Sequence, residues 1–163
     1  MLEHITSSLS SIPKEAATFI LAMLPVSELR GAMPYGVHSG IPFLKVLIIS
    51  VIGNLLPVIP LYFLLNKILL FLSRFRAGRK FSDWLVAHTL KKSKVIQMYE
   101  MIGLIIFVGI PLPMTGAWTG TMASVLLKLK FRYYLIGVVC GVLLASAIVS
   151  TLIFLFRAAF PLS

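Results

Sequence analysis

Residues 133–156 read YYLIGVVCGVLLASAIVSTLIFLF, an uninterrupted run without an Asp, Glu, Lys or Arg. A helix of about 20 apolar residues crosses the ~30 Å hydrocarbon core of a bilayer, and this run is longer than that. Residues 46–65, VLIISVIGNLLPVIPLYFLL, form a second uncharged run of spanning length. Inside a bilayer each backbone N–H and C=O must be paired within the protein, which restricts such runs to helices. Around them, 59% of the 163 residues are hydrophobic and 12% are charged, against about 45–50% and 25% in soluble domains. With a mean hydropathy of +1.00, the chain is predicted to be an all-α integral membrane protein that crosses the bilayer more than once.

Fifteen Lys and Arg against five Asp and Glu give a net charge of +10, a balance that often marks a nucleic-acid binder. Placement points elsewhere. Lys67, Arg74, Arg76, Arg79, Lys80, Lys91, Lys92 and Lys94 gather in one connection, and Lys128, Lys130 and Arg132 in another. Basic residues beside spans mark cytoplasmic loops, so no nucleic-acid partner is expected. Within the basic connection over 73–98, Phe81, Trp84, Leu85 and His88 recur at helical spacing, which predicts an amphipathic helix on the membrane surface. The first dozen residues are polar and the first apolar stretch ends at no small-residue cleavage site, so no cleavable signal peptide is expected. Cys140 lies inside a span as a packing residue. His4, His38 and His88 lack partners at metal-ligand spacing, so neither a metal nor another cofactor is expected.

The remaining apolar stretches are broken. Residues 16–40 are apolar at both ends but carry Pro25, Glu28, Arg30, Gly31 and Pro34. A straight helix would place two charges in lipid. The physical alternative is a re-entrant hairpin whose irregular backbone is covered by protein or faces water. Pro25 and Pro34 each remove a helical donor, and Gly31 permits a turn. A transmembrane helix over 41–72 follows, which Pro57 and Pro60 are expected to kink near mid-membrane, completing a first half over 14–72. Residues 99–127 are broken in the middle and flanked by Lys94 and Lys128, which predicts a second re-entrant hairpin, followed by a transmembrane helix over 133–156. Each half, 14–72 and 99–156, makes an odd number of crossings, so the two units are inverted. Paired broken segments in corresponding positions point to a transporter site near the midplane. Gly137, Gly141 and Ala145, four apart, mark a close-packing face, within one protomer or between the two of a homodimer.

The runs Glu28-Leu29-Arg30-Gly31-Ala32-Met33-Pro34 and Ile110-Pro111-Leu112-Pro113-Met114-Thr115-Gly116-Ala117-Trp118-Thr119-Gly120 resemble the two signature motifs of the small multidrug export protein family. That family is in turn similar to the wider DedA superfamily, whose members have two facing re-entrant hairpins. The resemblance implies a proton-linked transporter or a lipid translocase, since some DedA relatives move undecaprenyl phosphate or other phospholipids. DedA-type proteins usually carry charges on the second hairpin too. Here 101–127 holds none, so an anion would be held by Arg30 together with backbone donors.

Glu28 and Arg30 are the sharpest signal, because an ionised side chain in hydrocarbon costs about 2.5–3.5 kcal/mol even on the lenient insertion scale. Glu28 is the expected proton-coupling group and Arg30 the expected ligand of an anionic headgroup. The bland alternative is an ion pair between them that only pins the hairpin. Substrate contacts are expected from Pro111, Pro113, Thr115, Gly116, Trp118 and Thr119 at the second tip, where helix N-terminal amides favour an anion, and from Asn54 beside the expected kink. Pro25, Gly31, Pro34 and Gly120 are read as structural residues of the two tips.

No nucleophile, base and orienting group can be assembled, so no enzyme is expected. The expected protein is a small secondary transporter or lipid translocase in a prokaryotic plasma membrane. It would couple to protons and move an anionic amphiphile such as a polyprenyl phosphate or a phospholipid, with membrane lipids around it. Two alternatives stand beside this. A cationic multidrug exporter would use Glu28 to bind substrate, and a non-transporting scaffold would work through the basic connection and Trp84.

Overall fold

The structure is a computed structural model that describes residues 12–72, 94–112 and 115–159. The amphipathic helix expected around Trp84 and His88, and Pro113 at the second tip, lie outside the described residues. Six helices are present among the described residues: α1 (Lys14–Met23), α2 (Glu28–His38), α3 (Phe43–Leu72), α4 (Lys94–Gly109), α5 (Ala117–Leu126) and α6 (Phe131–Ala159).

Length separates them into two kinds. At 1.5 Å per residue, α3 and α6, with 30 and 29 residues, each reach about 45 Å, more than a bilayer core requires. By contrast α1, α2 and α5, with 10, 11 and 10 residues, reach only about 15 Å each, and α4, with 16, reaches about 24 Å, still short of the ~30 Å core. The chain therefore runs twice through the order short, short, long. Outward-facing residues of α3 recur at helical spacing, with Ile48, Ile52, Leu56 and Phe63 half exposed. A soluble protein does not turn so continuous an apolar stripe to water, whereas a bilayer covers it.

The breaks fall where local chemistry demands, with one difference from expectation. The first turn lies at 24–27, around Pro25, so Gly31 and Pro34 sit inside α2 rather than at a tip. Pro34 removes only the donor to the Arg30 carbonyl, one bond in a short helix packed on its neighbours. In α3 the helix likewise runs on through Pro57 and Pro60 without interruption.

Two apolar cores hold the helices together. Val58 and Tyr62 of α3, Leu104 and Val108 of α4, Ala117 of α5 and Tyr134 and Val142 of α6 form one. Leu29 and Met33 of α2, Val46 of α3 and Ala145 and Val149 of α6 form the other. The small-residue face of α6 is used within the protomer. A β-carbon on Gly137 would stand 2.9 Å from the Leu104 side chain, and one on Gly141 would stand 2.6 Å from that of Val108. Bare backbone there lets α4 lie against α6.

Candidate functional site

Where α4 ends and α5 begins, the chain leaves helical geometry, exposing free carbonyls on one side and free amides on the other. Helix ends carry such orphans by construction, with partial negative charge at the C-terminus and partial positive charge at the N-terminus. Both ends of this break are gripped by the first turn of α2. The Glu28 carboxylate accepts hydrogen bonds from the backbone N–H of Ala117 (3.3 Å) and of Trp118 (3.1 Å), the first amides of α5. The Arg30 guanidinium donates to the carbonyls of Leu112 (2.6 Å), Ile110 (3.1 Å) and Val108 (3.3 Å), at and just beyond the end of α4. Each charge therefore faces the helix end of opposite sign.

The two residues do not pair with each other. A surface ion pair between Lys45 and Glu15, at 2.8 Å, involves neither of them. The pinning role foreseen for a Glu28–Arg30 pair is thus carried out separately, by each residue on a different helix end. Glu28 is 6% exposed, and a carboxylate so buried persists only with donors around it. Its backbone is held at φ +46°, a left-handed conformation costing about 1–2 kcal/mol for a residue with a β-carbon.

The second tip fits that carboxylate closely. Gly116 adopts φ 153° and ψ −172°, a region used essentially by glycine alone. A β-carbon there would lie 2.2 Å from Glu28 Oε2. The Trp118 indole N–H donates to the Met23 carbonyl at the end of α1 (3.2 Å), so α5 is fastened to both arms of the first turn. Thr115 donates to the Ile110 and Leu112 carbonyls, and Thr119 to that of Gly116, bonds that shape the break itself. Gly120 faces Val108 and is a packing position.

Two cavities meet here. The more polar of the two, of about 390 Å³, is lined by Ser27, Glu28, Arg30, Thr115 and Thr119 beside apolar residues such as Pro25, Val26 and Leu112. A larger one of about 720 Å³ lies between α2 and α6, with walls that include Pro34, Val37, Val149 and Ile153. Arg30 and Pro111 line both and stand between them. The structure thus brings Glu28, Arg30, Pro25, Pro111, Thr115, Gly116, Trp118 and Thr119 to one place. Asn54 lines neither cavity. It sits with Ser50 on the buried face of α3, between Val46 and Val58, and its Oδ1 and the Ser50 hydroxyl lack hydrogen-bond partners among the described residues.

One polar cluster escapes a sequence reading. The Tyr134 hydroxyl donates to the Val58 carbonyl (2.8 Å) and lies 3.1 Å from that of Thr121, while its ring stacks on Tyr62. Tyr62 in turn donates to the Leu129 carbonyl (2.7 Å). These groups lock α3, α5 and α6 together behind the second tip. Tyrosines inside apolar runs give no signal beyond hydrophobicity, so only the fold reveals them.

Among curated proteins and among solved structures, no match was found. Comparison with known families matches residues 28–148, beginning at Glu28 just after the first turn and taking in the break between α4 and α5, to the family described as putative small multi-drug export protein. By name this is a family of exporters rather than of enzymes, in keeping with a membrane protein of long apolar helices. The match takes in well over half the chain, and the protein belongs to that family.

Proposed function

We propose that the protein is a proton-linked secondary transporter that moves an anionic amphiphile, such as a polyprenyl phosphate or a phospholipid, across a prokaryotic plasma membrane. In this reading α1–α2 and α4–α5 are re-entrant hairpins, α3 and α6 are the spans, and the two halves are inverted with their tips meeting near the midplane. The repeated order of short, short and long helices supports it.

The observation that carries the reading is the grip of Glu28 and Arg30 on both ends of one break. A proton on Glu28 removes the negative charge that faces the α5 amides. An anion in the polar cavity offers Arg30 a charged acceptor, whose bonds are roughly twice as strong as those to neutral carbonyls. Proton and anion thus each loosen one side of the same joint, and the tip moves freely only when both have bound. That is the coupling a symporter requires, because a conformational change follows only from ligands that favour one state over the other.

Export of cationic drugs is less well supported. Among the described residues, Glu28 is the lone acid lining the cavities and is engaged by amides, while Arg30 faces both spaces. A scaffold would work through the basic connection, and nothing in the tips requires it.

The test is movement of a fluorescent polyprenyl-phosphate or phospholipid analogue in proteoliposomes under an imposed pH gradient. Wild-type flux that follows the gradient, with Arg30→Gln inactive and Glu28→Gln insensitive to pH, is the expected result. Folded wild-type protein that moves neither lipid, or an unchanged pH response in Glu28→Gln, would sink the proposal.

A further inference from the structure

The larger cavity holds a feature that the tip mechanism does not use. Its walls are largely apolar, yet three basic side chains stand along it: Arg30 at the tip, His38 at the end of α2 and Arg157 in the last turn of α6, with the Tyr35 hydroxyl as a further donor. Among the described residues, no Asp or Glu lines it. His38 and Arg157 have no hydrogen-bond or ionic partner among the described residues, while Arg30 is tied to the α4 carbonyls. The Phe43 ring of α3 lies 4.7 Å from that of Phe154, which brings the end of α6 beside the end of α2 and its following turn. His38 and Arg157 therefore belong to the outer end of the cavity, and Arg30 to its inner end. From Arg30 to His38 is eight residues, about 12 Å of helix.

The wall is also open sideways, since Leu152 is 54% exposed on a helix suited to lie in hydrocarbon. A water-soluble anion has no use for such a wall, because it would have to leave water for apolar surface. A lipid has a use for both parts, with its chain against Val149, Leu152 and Ile153 and its headgroup on guanidinium and imidazole donors.

We propose that the groove between α2 and α6 is a lateral portal for an anionic bilayer lipid, with Arg157 and His38 as its outer headgroup site, from which the headgroup steps inward to Arg30. This deepens the transport reading and rests on it for the inward step. The outer site itself is a matter of binding alone. The guanidinium fork favours a phosphate over a zwitterionic headgroup whose own cation competes for it.

The experiment uses the full-length protein in vesicles containing a small fraction of phosphatidic acid that carries a photoactivatable group in its acyl chain. A parallel sample contains phosphatidylcholine with the same chain. The expected result is labelling of residues 149–156 and 34–38 about fivefold stronger from the anionic lipid, in line with one basic side chain's attraction for an anionic lipid surface. That excess should vanish in Arg157→Gln and return in Arg157→Lys, a pattern that a general loss of folding would not give. Equal labelling by the two lipids, or an excess unchanged in Arg157→Gln, would overturn the portal. Excess labelling in a protein that moves no lipid would instead leave the portal standing and remove the transport reading, so the two failures can be told apart.

Discussion

Replacement of Gly116 by alanine tests the joint between the tips most directly, because one β-carbon attacks it in two ways. It would lie 2.2 Å from Glu28 Oε2 and 2.6 Å from both Cδ and Oε1, so the carboxylate must leave the α5 amides. It would also put a side chain at φ 153°, a conformation costing of order 1–3 kcal/mol. Hydrogen bonds to a charged group contribute roughly 1.5–3 kcal/mol, and part of that returns when the displaced carboxylate meets water in the polar cavity. The sum is about 3–5 kcal/mol, which for a chain of this length lowers Tm by roughly 6–20 °C. The assay is thermal unfolding in detergent of the wild type, Gly116→Ala, Glu28→Ala and the double variant. In the double variant the clash is gone and the carboxylate bonds are lost only once, so its deficit should fall about 1.5–3 kcal/mol short of the sum of the singles. Strict additivity, or a Gly116→Ala protein as stable as wild type, would refute the idea that Glu28 sits against a bare backbone.

Two further substitutions probe the supports around the joint. Trp118→Phe keeps a ring but removes the donor to the Met23 carbonyl, and should cost about 1 kcal/mol, read as a fall of a few degrees in Tm. Tyr134→Phe keeps the stack on Tyr62 while losing the bonds to Val58 and Thr121. It should cost about 1–2 kcal/mol without changing lipid flux, and a flux lost with Tm intact would place that hydroxyl in the transport path instead.

Much of this architecture is legible in the chain because hydrocarbon is an unforgiving solvent. The uncharged runs at 46–65 and 133–156 mark the two long helices, and Pro25 and Pro111 with Gly116 mark the two breaks. The cost of ionised groups singles out Glu28 and Arg30 among the apolar residues of the first segment. What the chain does not disclose is partnership. The contacts of Glu28 and Arg30 lie 78 to 90 residues away, and a local reading naturally offers them each other. Gly31 and Pro34 mislead for a related reason, since breaker residues are tolerated inside a membrane helix whose neighbours cover it, and only the packing decides which breaker ends the helix. Asn54 is the reverse case. Its polarity is visible, but its place between the two apolar cores, away from both cavities, is a property of the fold.

The spacing of the two charges then acquires a meaning of its own. On a regular helix, residues two apart point about 200° away from each other around its axis. Although Glu28, with its left-handed φ of +46°, departs from that regularity and lines one cavity with Arg30, the two do not grip each other across the turn. They can, however, reach opposite flanks of a gap that faces that turn. The break between α4 and α5 is such a gap, and its flanks differ in sign because one is the end of a helix and the other is the start of one. Acid toward the α5 amides and base toward the α4 carbonyls is the arrangement those dipoles favour, and the reversed arrangement would set each charge against its own sign. A joint of this kind needs no charge on the second segment, which accounts for the chain's having none between 101 and 127. The backbone of the broken helix itself supplies the counterpart to both side chains.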